Sequence, residues 1–206
     1  MSLYGGLPYK DRLDNDIYTD FRNMQRLEEI LDDPDYTELE KMLGSLVLFY
    51  GEDIPNDLEA AYGELLWFYY RGEEPEKPKK RIEKLFDFQE DAAYFAGSFL
   101  SAYGIDLTDE DTYINWWRFM ALLLSLPDST TLMKRMCDRN VDTSKMKGEM
   151  RKHYEERKNA VALKSVKRRR SASPEERKRE KQKRLDELYA QAEREQAERG
   201  DKDAKE

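Results

Sequence analysis

The sequence predicts an all-α protein: a compact multi-helix body behind a short extended N-terminal segment, with a solvated, charged helix after it. Three observations lead there. Apolar residues recur at helical spacing between cap residues and glycine or proline stops, and strand-like alternation is scarce. Aromatic residues make up 12% of the 206, enough to fill a core. Charge is unevenly divided, with 28 acidic and 12 basic residues up to Met133 and 16 acidic and 24 basic from Lys134 on, a net −16 and +8 that give −8 overall. Such asymmetry marks a body followed by a tail. The boundaries read as an extended or turn-rich segment over 1–18, an acidic helical domain over 19–163, and a tail over 164–206 that is first basic, then mixed in charge, helical but undocked.

The first helix is expected from an N-cap at Thr19 with Phe21, Met24, Leu27 and Leu31 on one side. The second opens with a capping box, Thr37 and Glu40, and carries Leu39, Met42, Leu43, Leu46, Val47 and Tyr50 along one face until Gly51 stops it. Pro55 just inside a start and Gly72 just past an end frame the third, whose last turns "LLWFYY" are apolar all round. The charged "EEPEKPKKRIEK" that follows reads as an exposed connector.

"FDFQEDAAYFAGSFLSAYG" makes the fourth helix, with Phe88, Ala92, Phe95 and Phe99 on a stripe and Gly104 at its end. The fifth is expected to start at Thr108, above an acidic first turn, and to run through "INWWRFMALLLSLP" to Leu126. A short sixth is capped by Asp128 or Ser129, and a longer, polar seventh begins near Asp142.

The Trp-Trp stretch raises the functional question. A bilayer span needs about 20 apolar residues, and this run is broken by Arg118 and stopped by Pro127. Two apolar stripes, Tyr113, Trp116, Met120 and Leu123 beside Ile114, Trp117, Ala121 and Leu124, cover well over half of the helix, so it must be covered on several sides. Its neighbours within the fold can cover it, or part of it, with the "LLWFYY" end of the third helix, is left for a partner.

Catalytic chemistry has little to work with. One cysteine, Cys137, and one histidine, His153, exclude an intrachain disulfide and a Cys/His zinc site. Paired carboxylates such as Asp32 with Asp33, Glu73 with Glu74 and Asp109 with Asp111 sit where solvation or capping explains them. Lys134, Arg135 and Arg139 could lower the thiol pKa of Cys137, but no base partner is visible. The glycines form no phosphate loop. The expectation is a protein without enzymatic activity, cofactor or metal, and the N-terminus lacks the charge-then-apolar pattern of a secretory signal.

The basic run is the rival signal. Between Lys164 and Arg184 lie 11 basic and 3 acidic residues, with Lys167, Arg168, Arg169 and Arg170 as its centre, enough to meet an acidic protein or several phosphates. It lacks aromatics for base stacking, and a solvated tail explains it as well. A nucleic-acid-binding regulator acting through this tail is therefore the alternative reading.

The segments "TDFRNMQRLEEIL", "DFQEDAAY", the "YGIDLT" turn and the Trp-Trp helix, taken in that order, resemble the bacteriophage Gp-fifteen family of tailed phages of Gram-positive bacteria. The likeness covers about Thr19 to Leu163, with Asn115 standing where the family's pattern has His. The resemblance implies a tail assembly chaperone in the cytoplasm of the infected host, absent from the mature virion. Its partner would be the tape measure protein, with the major tail protein as a second candidate and self-association open. Trp116, Trp117, Met120, Phe68 and Tyr69 are the residues expected to line a groove for an apolar tape measure segment.

Overall fold

A computed structural model describes residues 6–33, 35–73 and 84–164, with scattered helical positions between 173 and 190. Among these residues there are seven helices and no strand, only isolated bridges between Lys10 and Asp16 and between Asp20 and Asn115. The all-α expectation holds. The charged tail helix expected from Lys164 on falls mostly outside the described residues, and so does most of the connector after Gly72. The chain divides into two units, one built from residues up to 76 with Ile114–Phe119, the other from 77–113 and 120–172.

In the first unit, α1 spans Phe21–Asp32 and is capped by Asp20, whose carboxylate accepts the Arg22 N–H at 2.9 Å. The expected cap, Thr19, lies one residue earlier and is buried; its carbonyl accepts the Trp116 N–H at 2.8 Å. Phe21, Met24, Leu27 and Ile30 turn inward.

α2, Glu38–Tyr50, has the predicted capping box: Thr37 N–H donates to Glu40 Oε2 at 2.8 Å and Glu40 N–H to Thr37 Oγ1 at 3.3 Å. Gly51 ends it at φ 67°, where a Cβ would also stand 2.8 Å from Tyr18 Cε2, so both conformation and space demand glycine. The buried face differs from the expected one. Leu46 and Tyr50 are buried with Ser45, Leu48 and Phe49, while Leu39 and Leu43 are exposed.

α3 spans Leu58–Tyr69, capped by Asp57, with Pro55 outside the helix and Gly72 at φ 77° beyond it. Phe49, Phe68, Leu65, Leu46, Leu27 and Met24 are fully enclosed. Burying each such side chain contributes about 1.5–3 kcal/mol before entropy is counted.

The second unit is built on α4, Ala92–Tyr103, which ends at Gly104 in the left-handed conformation, φ 68°. Phe88, Phe95 and Phe99 are buried as expected, with the Phe88 and Phe95 rings 5.0 Å apart, but Ala92 is exposed. Asp91 precedes the helix without capping it, because its carboxylate is taken by Arg139 from α6, Thr131–Asn140. Arg139 Nη2 donates to Asp91 Oδ1 at 2.9 Å, Nη1 to the Leu85 carbonyl at 2.8 Å and Nε to the Val161 carbonyl at 2.6 Å. Burial opposes the charge on Asp91, and the hydrogen bonds from Arg139 and the Asp87 N–H outweigh it, holding the carboxyl below its ordinary range.

α6 is preceded by Thr130 rather than Asp128 or Ser129; the Thr130 hydroxyl donates to the Pro127 carbonyl at 2.8 Å. α7 covers Gly148–Ala160 and buries no side chain. It starts six residues later than expected because Asp142 accepts the Ser144 N–H in a turn of its own.

The helix carrying the tryptophans, α5, is shorter than predicted, Trp116–Leu124. Thr108 does not cap it. Asp106 accepts from the Thr108 N–H and hydroxyl, and Asp109 accepts from the Asp111 N–H, so the acidic stretch closes on itself as turns. Asn115 serves as the cap, its Oδ1 accepting the Trp117 N–H at 2.9 Å. Ile114 pairs with α1, receiving the Phe21 N–H on its carbonyl and donating to Asp20 Oδ2. Residues 116–119 belong to the first unit and Met120 onward to the second.

Candidate functional site

The residues expected to receive a partner can be placed one by one. Trp116 and Trp117 open α5, Phe68 and Tyr69 close α3, and the first unit brings all four into one aromatic cluster. Trp116 Nε1 donates to the Tyr69 carbonyl at 2.9 Å and Trp117 Nε1 to the Phe68 carbonyl at 2.8 Å. The last carbonyls of a helix have no partner within it; the Trp116 indole meets that of Tyr69, and the Trp117 indole adds to the Arg71 N–H already on that of Phe68.

The rings pack as tightly. Tyr69 stacks on Trp116 at 5.7 Å, Trp116 on Phe119 at 5.8 Å, and Phe119 on Phe21 at 4.7 Å. Trp117 tilts against Phe68 and Trp67. Trp116 is 3% exposed, Trp117 7% and Phe68 0%, while Tyr69 and Trp67 keep a partial edge to solvent. Burial, then the carboxylates of Glu28 and Asp32, push the Tyr69 phenol above its ordinary range, so it stays protonated. Met120 is half-buried and lies in the second unit. Lys167, Arg168, Arg169 and Arg170 lie outside the described residues.

The candidate catalytic groups are placed without a catalytic arrangement among the described residues. His153 is exposed on α7, its ring against Tyr154. Cys137 is exposed on α6, but two of the cations that could activate it are engaged elsewhere: Arg139 is buried on Asp91, and Arg135 lies 4.1 Å over the Tyr94 ring and 3.4 Å from Asp91. Asp33 accepts the Asp35 N–H and Asp109 the Asp111 N–H, the roles of turn residues. No group of three or more His, Cys, Asp or Glu side chains that could hold a metal ion occurs among the described residues. No described helix is long and apolar enough to cross a membrane.

Exposed apolar residues occur on several elements, among them Leu39 and Leu43 on α2, and one open surface without charge lies on α4. Its twelve residues, AAYFAGSFLSAY, include no charged side chain, in a chain that is 39% charged. Phe95, Ser98 and Phe99 turn inward. The opposite side presents Ala93, Gly97, Leu100 and Ser101, at spacings i, i+4, i+7 and i+8, to solvent, and Leu100 is 53% exposed. A Cβ on Gly97 would meet nothing within 4 Å. This is a strip of small residues flanked by one leucine, against which another helix can approach closely. The sequence held a sign of it, twelve successive uncharged residues, but the phenylalanine stripe marks only the side that faces the core.

No curated protein and no solved structure matches the chain. A family model described as Bacteriophage Gp15 protein matches residues 10–163, about three quarters of the length, and so takes in both units. The chain belongs to the Bacteriophage Gp15 protein family, which makes it a phage protein and suggests a part in phage structure or assembly.

Proposed function

We propose that the protein is a non-enzymatic tail assembly chaperone that holds apolar segments of the tape measure protein in the infected cell while tail tube subunits gather, and that it leaves before the virion matures. The observation that carries this reading is the uncharged outer side of α4, Ala93, Gly97, Leu100 and Ser101. A solvent-facing helix ordinarily carries charge on its outer side, and an apolar one marks a contact surface. A tape measure helix has an apolar face of its own until the tube encloses it, and two such faces remove each other from water.

Co-expression with a tape measure fragment tests this. The wild-type chain keeps the fragment soluble, while Gly97→Glu and Leu100→Glu, which place a carboxylate on the α4 strip, leave it in the pellet. Solubility that does not depend on the protein, or that survives both substitutions, overturns the reading. DNA binding that weakens with salt and disappears on truncation after Leu163 would instead favour a nucleic-acid regulator.

A further inference from the structure

Glu64 lies in the middle of α3 with its side chain 8% exposed. A buried carboxylate needs partners that offset its lost hydration. Among the described residues, every hydrogen bond it accepts comes from Arg12, 52 positions earlier: the Arg12 N–H at 3.0 Å, Nε at 2.9 and 3.1 Å, and Nη2 at 2.7 Å. One turn along α3, the Trp67 ring lies 5.1 Å from the Arg12 guanidinium carbon. A carboxylate that takes both prongs of the fork and an indole beneath its plane are what a guanidinium prefers over an ammonium.

We propose that Glu64 and Trp67 form a guanidinium-binding site, filled in the isolated chain by its own Arg12, and that an arginine on a partner polypeptide can take Arg12's place. The loop that delivers Arg12 is built for exchange. Of residues 9–16 only Asp11 is buried, and Tyr9 and Leu13 are each 58% exposed, so no apolar side chain of the loop is buried. Asp11 spends its oxygens largely within the loop, accepting from Leu13 N–H, Asn15 N–H and Asn15 Nδ2, and the Lys10 and Asp16 bridge closes the loop on itself. Its one further buried bond comes from the Tyr50 hydroxyl at 2.8 Å. Water can replace the exposed polar contacts when the loop swings away, but Glu64 still requires a cation. The occupant is therefore exchanged rather than removed, and the incoming group must carry the same fork.

The site lies in the first unit and its test needs no tape measure fragment, so its failure leaves the α4 reading standing. In the full chain, Arg12→Ala empties the site, and N-acetylarginine amide is titrated while tryptophan fluorescence is followed. The expected result is a saturable change in Arg12→Ala, with half-saturation at least about tenfold higher for N-acetyllysine amide and about tenfold higher for the wild type, where Arg12 competes. Arg12→Ala combined with Glu64→Gln should not respond. No response in a folded Arg12→Ala chain, equal response to both amides, or a response that survives Glu64→Gln overturns the proposal. Should Arg12→Ala fail to fold, the arginine amide must restore its helical circular dichroism and the lysine amide must not; failure to restore it is equally fatal.

Discussion

Two apolar regions of this protein meet water in opposite ways. The cluster of Trp116, Trp117, Phe68 and Phe119 is rich in large rings and almost wholly enclosed, with both indole N–H groups bonded to the end of α3. The outer side of α4 is made of alanine, glycine, serine and one leucine, and stands open. Size and exposure run against each other. Large rings have the most to gain from burial, so the fold claims them first; small uncharged residues form a strip that leaves backbone close to the surface and fits a second helix.

The contrast breaks most visibly at the sealed end. Trp116→Ala removes an indole and leaves a cavity, so the first unit should lose about 3–5 kcal/mol in chemical denaturation. Any loss of partner binding in that variant should track the loss of helical signal. If binding vanished while stability held, the cluster would be a contact surface after all.

In the second unit, Arg139→Ala leaves Asp91 buried without its main cation and should cost about 3–5 kcal/mol by the same measurement. The sign of the pH effect follows from the depressed carboxyl. Stability from Asp91 is fully present above the unfolded carboxyl pKa of about 3.9 and is lost as pH falls through the lower folded value. Asp11 behaves alike: burial is outweighed by hydrogen bonds from Asn15, Tyr50 and Leu13. Denaturation midpoints should thus be flat from neutrality to about pH 5 as far as these two groups go, then fall. Asp91→Asn should flatten the Asp91 share of the fall.

At the open end the stability effect should be small and the binding effect large. Gly97→Glu meets no neighbour and replaces a helical glycine, so it should raise stability by up to about 1 kcal/mol while abolishing capture of the tape measure fragment. A gain in both would show that the strip is ordinary surface. Smallest of all, Ser45→Ala removes a buried hydroxyl that has no hydrogen-bond partner among the described residues and should stabilise α2 by about 0.5–1 kcal/mol in thermal melts.

What could be read from the sequence was local. The Thr37 and Glu40 capping box and the stops at Gly51 and Gly104 depend on a few neighbouring residues and the chain places them as expected. The beginning of α5 could not be read this way. Thr108 followed by acidic residues is a sound start signal, but the turn-forming carboxylates of Asp106 and Asp109 use it up, and α5 is instead begun by Asn115 and by the Thr19 carbonyl, 97 positions before Trp116. The face of α2 went astray for a similar reason. Its apolar periodicity allowed Leu39 and Leu43 to be inside, and packing turned Ser45 and Leu48 inward in their stead. The Arg12 and Glu64 pair joins residues whose relation only the fold creates. Membership of the phage family was legible from the order of weak local patterns, because such order survives without knowledge of contacts.

Arg139 has one more consequence. Its guanidinium grips the carbonyl of Leu85, where the chain begins its path into α4, and that of Val161, just past α7. A pull along the backbone from either side would strain this clasp ahead of the phenylalanine interior, so the unit would resist tugging as a buckled belt does, by its fastening rather than by its cloth.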